Sequence, residues 1–531
     1  FADTAPQFSR DGTMLYWQTD RFSTRQLENQ TATFDIVGTF LSREAAVAFA
    51  EQSPVSDGPA DFAGAPDRTL RFTGTTQTLA TADLSADGAT LHVVAVVPGK
   101  GYVGYAIDSR SGAARLLFER AAAGGEQFAV SPDGTTLHVS GSGRLEAYDL
   151  ATGAMHAIPF DTTGPRDARA EMAYLFDHQW RFVEAKFYDA GMHGVDWPRM
   201  RDLYARQLPH ISHWEDFAEL MAELQGELNA SHMFSIFEPG EPHWDKVGSL
   251  GVYYDRSHVG PGVKIAGVLA GGPADVPGSL LVPGAVILTV DGVAIGPEAD
   301  IASFLTHTAG KRLLLGVAAP GSEAVGEQRI TPVSQDDEVA LAYRRWVAQR
   351  RDIVERLSGG RLGYVHVAAM NDAEMHKVYA ELMGRYGQAE GAVIDVRFNT
   401  GGLMHDQLVA FLTGERHSGC WSRPTALAQN AFSYSDGAIF PAYYKRQAIG
   451  PVVGDRVPGT GTAVYIAPQL EPRLTFGTAQ IGMRAEEGRF YENTETVPDL
   501  LVPTDPNFIA EGRDPQLEAA VQALLAAIDA E

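Results

Sequence analysis

Four short stretches carry residues whose types could do chemistry together. In "NAFSYSDGAIF" (430–440) two serines sit in a bend between a strand-like run and a helix-like run. A hydroxyl at such a bend projects from the fold beside backbone N–H groups that a helix start leaves unpaired. Ser435 fits a nucleophile, with Asp436-Gly437 making the turn, and Ser433 fits strand-end or turn chemistry. On local sequence alone, the plainer reading is that Ser435 caps the following helix.

In "VRFNTGGLMH" (396–405) a buried-strand pattern ends in Asn-Thr-Gly-Gly and a helix begins. Glycines let backbone amides approach an anion, and a helix N-terminus favours negative charge, as an oxyanion hole requires. An ordinary tight strand-to-helix turn has the same composition. In "GELNASHMFSIFEPG" (226–240) Ser231 and His232 follow a helical run. His232 could be a general base, although a lone histidine is more often an ordinary surface or core residue. In "GRFYENTETVPDLLVPTD" (488–505) Glu492 lies among apolar residues, or else is an exposed loop acid. "HISH" (210–213) lacks the Cys, Asp or Glu neighbours of a metal site, so no metal and no organic cofactor is expected.

Several elements must hold these residues. The first 160 residues repeat the form apolar-Ser-x-Asp-Gly-x-x-Leu at 8–17, 84–94 and 130–140. Asp-Gly between short β-like runs predicts hairpins, because glycine takes positive φ at little cost. The last two copies lie 46 residues apart, a β-propeller blade period, and the first gap holds an inserted segment near 23–60. A propeller closes with about 4–8 blades, so three copies predict a partial propeller with further blades upstream of Phe1. A small β-sandwich is the alternative. Residues 161–238 predict a helical domain, with "SHWEDFAELMAELQGEL" opening on a Ser212–Glu215 capping box.

Residues 239–335 turn β-rich and glycine-rich in a PDZ-like pattern, with Ala285 in "GAVILTVDGVAI" where an acid is usual. There Gly248, Leu250 and Gly251 would offer a peptide-binding loop. The alternative is a β-rich spacer with no free groove. Residues 336–531 predict an α/β core: a linking helix over 336–358, strands at 361–370 and 391–399, a helix over 372–386, and a last helix capped by Asp514 with Pro515 first. The fold class expected is therefore multidomain α+β.

Composition narrows the partners. A net charge of −25 over 531 residues argues against nucleic acid and anionic membranes. No apolar stretch is long enough for a membrane span, and the one cysteine, Cys420, excludes an internal disulfide. A cytoplasmic location is expected. A periplasmic or secreted one stays open if a leader precedes Phe1.

Taken in order, these domains resemble a tricorn-type serine peptidase of the C-terminal-processing peptidase superfamily. The similarity is most specific in "GELNASH", "DVRFNTGG", "SDGAIF", "GPVVGDR", "YEN…VPDLLV" and "GRDPQL". The resemblance implies Ser435 as nucleophile, His232 as base, and Ser231 bridging His232 to Glu492, with amides of Gly401 and Asp436 forming the oxyanion hole. It implies peptide substrates, a propeller that restricts access, a site between the helical and α/β domains, and a homo-oligomer, for which a hexamer is one size. Thr400 departs from the family's all-glycine run. For P1 preference, Asp406 and Glu415 are candidate acids, whereas Trp421 would signal an apolar pocket. An inactive propeller–PDZ scaffold that binds peptides, or a hydrolase of other esters or amides, are the rival functions.

Overall fold

The computed structural model describes residues 3–530 apart from 23–24, 27–30, 54–59, 74–77, 86–87, 98, 123–124, 142, 161–163, 240–245, 415–418, 486 and 508–511. The chain forms two compact units, Phe1–Arg166 and Asp167–Glu531.

In the first unit the Ser-x-Asp-Gly repeats make matching turns. Ser9 O accepts from Gly12 N at 2.8 Å, Ser9 Oγ donates to Asp11 Oδ1 at 2.6 Å, and Met14 N donates back to Ser9 Oγ at 2.9 Å. The Ser131 copy repeats all three bonds with Gly134, Asp133 and Thr136. In the middle copy Ser85 bonds Gly88 and Thr90, while Asp87 lies outside the described residues. Gly12 and Gly134 take φ of 71° and 74°, the region glycine enters freely.

These turns lie within three four-stranded antiparallel sheets. The first holds Asp3–Phe8, Met14–Thr19, Asp35–Phe40 and Thr69–Arg71. The second runs Thr78–Leu84, Thr90–Val97, Gly101–Asp108 and Ala114–Arg120. The third runs Gln127–Val130, Thr136–Gly141, Arg144–Asp149 and Met155–Ala157. A second repeated turn, not read from the sequence, closes a later hairpin in two of them. Gly112 N bonds Asp108 O at 2.9 Å and Gly153 N bonds Asp149 O at 2.7 Å.

The second unit opens with helices Ala168–Lys186, Trp197–Ala205 and Trp214–Gly226. The last begins after His213, which makes no side-chain cap bond, so the Ser212–Glu215 capping box is not formed. The helices bury Phe176, Val183, Trp197, Phe217, Met221 and Leu224 against Leu474, Phe476 and Ala479. Those residues belong to a strand, Leu474–Gly482, that lies between Phe234–Phe237 and Thr462–Pro468 in one small sheet. A hairpin from the C-terminal part of the chain thus completes the helical body and crosses the boundary expected at 238.

Residues 247–333 form a mainly antiparallel sheet: Val252–Tyr254, Val263–Val268, Val286–Val290, Leu313–Ala318 and Val325–Ile330. Ala285 is fully buried among Ile265, Ile287 and Leu315, a place where a carboxylate would be costly. In the loop expected to bind a peptide, the amides of both glycines are engaged. Gly248 N already bonds Leu305 O at 2.8 Å and Gly251 N bonds Ser249 Oγ at 3.0 Å. The Leu250 side chain lies in the core.

Helix Gln335–Ser358, capped by Ser334, leads to a five-stranded parallel sheet. Its order is Leu362–His366, Gly391–Asp395, Thr425–Gln429, Val452–Gly454, Leu500–Leu501. Period-two alternation divides its side chains between two faces. Tyr364, Val393, Ala426 and Val453 pack on the long helix and on Pro515–Ile528, whose N-cap is Asp514. Val365, Ile394, Leu427 and Val452 pack on Asp372–Tyr379, His405–Thr413 and Asp436–Arg446. The helix expected over 372–386 changes at Ala380 to a π-helical stretch ending at Arg385.

Candidate active site

Parallel sheets present their ligand sites at the carboxyl ends of the strands. Here the chain leaving Gly391–Asp395 runs into Asn399–Gly402, and the chain leaving Thr425–Gln429 runs into Ser435. Ser435 stands at the N-cap of Asp436–Arg446, yet its side chain makes no capping bond. Its backbone holds φ 54° and ψ −126°, a region that non-glycine residues rarely occupy and that recurs at functional sites. The helix-cap reading of this serine therefore fails. Its hydroxyl lies 2.9 Å from His232 Nε2. Ser433, by contrast, is buried and donates to Val396 O at 2.8 Å, tying two strand ends together.

His232 reaches Ser435 from the helical body, just before strand Phe234–Phe237. Its own φ is 62°, and its backbone N–H donates to the Tyr434 hydroxyl at 2.8 Å. For Nε2 to accept from Ser435, Nδ1 must carry the ring proton. Nδ1 lies 2.9 Å from Ser231 Oγ and also 2.9 Å from Thr462 Oγ1. Ser231 Oγ donates to Glu492 Oε2 at 2.9 Å, and Ser231 N donates to Oε1 at 2.5 Å. Thr462 Oγ1 donates to Ser231 O at 3.0 Å, which leaves its oxygen able to accept from the imidazole. Burial holds the His232 imidazole below its ordinary value, so it is neutral at pH 7. Burial likewise pushes the Glu492 carboxyl up, against the two Ser231 bonds that pull it down. The four residues singled out in three separate stretches are thus brought into one hydrogen-bonded chain.

Gly401 packs against the nucleophile so closely that a Cβ there would lie 2.6 Å from Ser435 Cβ. With φ of 93°, the position needs glycine. Its amide is not free, however. It donates to Asn399 Oδ1 at 2.9 Å, because the Asn399 side chain, anchored through Nδ2 on Val367 O, folds the turn back on the strand end. The Gly401 N–H expected at an oxyanion is thus already engaged. The Asp436 amide, in the first turn of its helix, has no intrahelical acceptor.

Thr462, Thr460 and Tyr434 were not singled out by sequence. Thr460 Oγ1 accepts from Ser435 N at 2.7 Å. Among the candidates for P1 preference, Asp406 is 85% exposed and pairs with His405, and Glu415 lies outside the described residues. Trp421 is 2% exposed and belongs to the core with Leu382, Phe411 and Tyr444, and it also borders a small cavity with Leu382, Cys420 and Arg423. His210 closes a short turn and His213 precedes a helix. Among the described residues no helix is long and apolar enough to cross a membrane.

Comparison with known proteins adds to this geometry. The tricorn protease C1 domain matches residues 168–226, and peptidase family S41 matches residues 361–414. Tricorn protease homolog 1 of Streptomyces coelicolor is 32% identical over 444 residues, covering 76% of this chain and 40% of that protein. The chain belongs to the tricorn-type serine peptidases of family S41. Within that family, the tricorn protease of Thermoplasma acidophilum is 24% identical over 381 residues, 67% of this chain and 35% of its own. A putative tricorn-like protease C-terminal subunit of Sulfurisphaera tokodaii is 27% identical over 68% of this chain and 44% of its own. The crystal structure of the tricorn protease shares the fold, with a TM-score of 0.83 and 18% identity over 99% of this chain and 55% of that one. The chain thus spans about two fifths of the length of the curated tricorn relatives it matches.

Proposed function

We propose that this chain carries the catalytic machinery of a serine endopeptidase acting on peptides or unfolded segments. The observation that carries the reading is the 2.9 Å approach of His232 Nε2 to Ser435 Oγ, with Nδ1 held from behind by hydroxyls.

Serine is a poor nucleophile until a base takes its proton during attack. Neutral His232 accepts that proton at Nε2 as Ser435 Oγ bonds to the substrate carbonyl carbon. The imidazolium that forms is stabilised along the path through Ser231 to Glu492. Thr462 offers Nδ1–H a second acceptor. The carbonyl oxygen gains negative charge and is met by the Asp436 amide and the N-terminus of its helix. Collapse of the tetrahedral intermediate expels the amine, which leaves with the proton from Nε2. Water then enters, gives a proton to Nε2 and attacks the acyl carbon; the bond to Ser435 Oγ breaks, Oγ takes the proton back from Nε2, and the acid leaves with free Ser435 and neutral His232 restored. The His…Ser…Glu chain order is immaterial, because such sites are defined by geometry.

The three sheets of the first unit are read as propeller blades, and the sheet over residues 247–333 as a PDZ-like module used in assembly. A homo-oligomer is part of this reading. The similarity to named proteases favours peptides over other esters and amides. The deciding experiment is reaction with a fluorophosphonate followed by peptide mapping. A label on Ser435 with peptide turnover supports the reading; an unlabelled Ser435 in a folded chain overturns it.

A further inference from the structure

We propose that His405 and Asp436 form a latch that holds both sides of the oxyanion-binding face beside Ser435, with His405 as its positioning residue; this rests on the peptidase reading above. Asp436 follows Ser435 directly, and its backbone N–H is the donor offered to a developing oxyanion. Its side chain is 1% exposed and turns to the neighbouring helix. Oδ2 accepts from Met404 N at 2.6 Å and from His405 N at 3.0 Å, while Oδ1 pairs with His405 Nδ1.

That neighbouring helix, His405–Thr413, has Met404 at its N-cap and no side-chain cap of its own. Asp436 supplies the cap from outside, satisfying amides that the helix start leaves open. Upstream, the Gly401–Met404 turn is fixed to Met370 on the other side. Met370 N donates to Gly401 O at 2.7 Å and Leu403 N donates to Met370 O at 2.9 Å. The segment packed against Ser435 is therefore anchored at its start by Asn399 and Met370, and its far end hangs on a single carboxylate. Rotation of that carboxylate would move the Asp436 amide and release the turn together.

The charge matters as well as the position. An uncompensated carboxylate one residue from the nucleophile would repel an oxyanion. His405 lies against it and cancels it when protonated. Burial works against protonation, but the bond to Asp436 and the Asp436 charge outweigh it and raise the His405 value. The other groups facing the imidazole are Asp406 of its own helix, with Oδ1 3.3 Å from Nε2, and the Tyr443 ring at 4.9 Å.

The test measures the rate of fluorophosphonate labelling at Ser435 across pH, since the phosphonyl oxygen occupies the oxyanion position without requiring a peptide. It uses the full chain as wild type, His405→Ala and His405→Asn, with peptide kcat and KM alongside. Asparagine keeps an N–H near the Nδ1 position but no charge. His405→Ala is expected to slow labelling and kcat by about 10²-fold with KM little changed, the scale of losing one oxyanion donor. His405→Asn, which keeps the bond but not the charge, should recover only part of that loss near pH 7 and label at about the rate the wild type shows above the raised His405 value. The wild-type rate should fall as pH rises through the raised His405 value, and this fall should be absent from His405→Asn. Wild-type labelling with equal labelling of His405→Ala overturns the latch alone. An alkaline fall that persists in a slow His405→Asn also overturns it. A wild type that does not label overturns the peptidase reading, and the latch with it.

Discussion

Glu492 grips Ser231 with both carboxylate oxygens, one on the backbone N–H at 2.5 Å and one on the hydroxyl at 2.9 Å. The two residues lie 261 positions apart, so this contact ties the C-terminal hairpin region to the segment carrying His232. The bidentate grip fixes the direction of the Ser231 hydroxyl. Its proton points at Glu492 and a lone pair is left for Nδ1–H of His232. Glu492→Gln replaces one acceptor with an NH₂ donor and so reverses that polarity. Turnover should fall, but by less than the ~10⁴-fold that the equivalent change causes when the orienting acid contacts histidine directly. Steady-state kcat on a peptide substrate checks this, and an unchanged kcat would remove Glu492 from the relay.

Nδ1 of His232 has two acceptors at the same distance, Ser231 Oγ and Thr462 Oγ1. Either hydroxyl alone can hold the tautomer. Ser231→Ala and Thr462→Val should each cost about tenfold or less in kcat, and the double variant more than the product of the two, since residues in one network are not additive. Additive losses would show that the two act independently. Both single variants should remain well above His232→Ala, in which the base itself is gone.

How much of this could be read beforehand depended on where the determining contact lies. Asp514 and Pro515 announce a helix start because the contact is local, and the structure places the helix there. The Ser-x-Asp-Gly turns are legible for the same reason. Thr462 was not legible: "GTGTAVY" reads as a plain strand opening, and its role comes from a hairpin that packs on helices more than 200 positions earlier. Ser435 is intermediate. Its bend was readable, but only the long-range bond to His232 separates a nucleophile from a cap. At Gly248–Gly251 glycine-rich sequence suggests open amides, but those of the two glycines are taken by Leu305 and Ser249, partners that local sequence does not reveal. Trp421 shows the limit of such a reading, since an aromatic near a site reads alike in a pocket wall and in a core, and here it is largely core.

His232 must be neutral to accept the Ser435 proton. Burial sets its folded value below the ordinary ~6.5. The acid limb of kcat/KM should therefore have its midpoint below ~6.5, with that limb already flat at pH 7. The same shift bears on folding. Protonation favours the unfolded chain, so the stability contributed by neutral His232 is complete above the unfolded value and drains as pH falls toward the folded one. A pH–rate profile whose acid midpoint lies above ~6.5 would contradict the assignment of His232 as base.

Arg397 is buried between strand and C-terminal helix. It donates to Asp395 through Nε and Nη2, and to Asp514 at 2.9 Å and Gln516 at 3.1 Å through Nη1. Asp395 is fully buried and Asp514 nearly so. Arg397→Met would leave both carboxylates short of their cation, and breaking a buried pair costs about 3–5 kcal/mol. Urea unfolding followed by tryptophan fluorescence should show the midpoint of the second unit fall markedly. A shift within error would mean that water or Arg350, 3.5 Å from Asp514, compensates.

Ser435 sits at φ 54° and ψ −126°, where a Cβ is strained and glycine is not. Ser435→Ala removes the nucleophile but keeps the Cβ, whereas Ser435→Gly removes both. Both should lose turnover by as much as ~10⁶-fold, as loss of a serine nucleophile does. They should differ in stability. Relief of strain of about 1–3 kcal/mol, set against about 0.5–1 kcal/mol for glycine's looser unfolded chain, leaves Ser435→Gly more stable than Ser435→Ala by about 1 kcal/mol. Thermal midpoints of the two inactive variants measure that difference directly. If Ser435→Ala is the more stable, the bend is not under strain, and the hydroxyl is presented by its neighbours rather than by a backbone held against its preference.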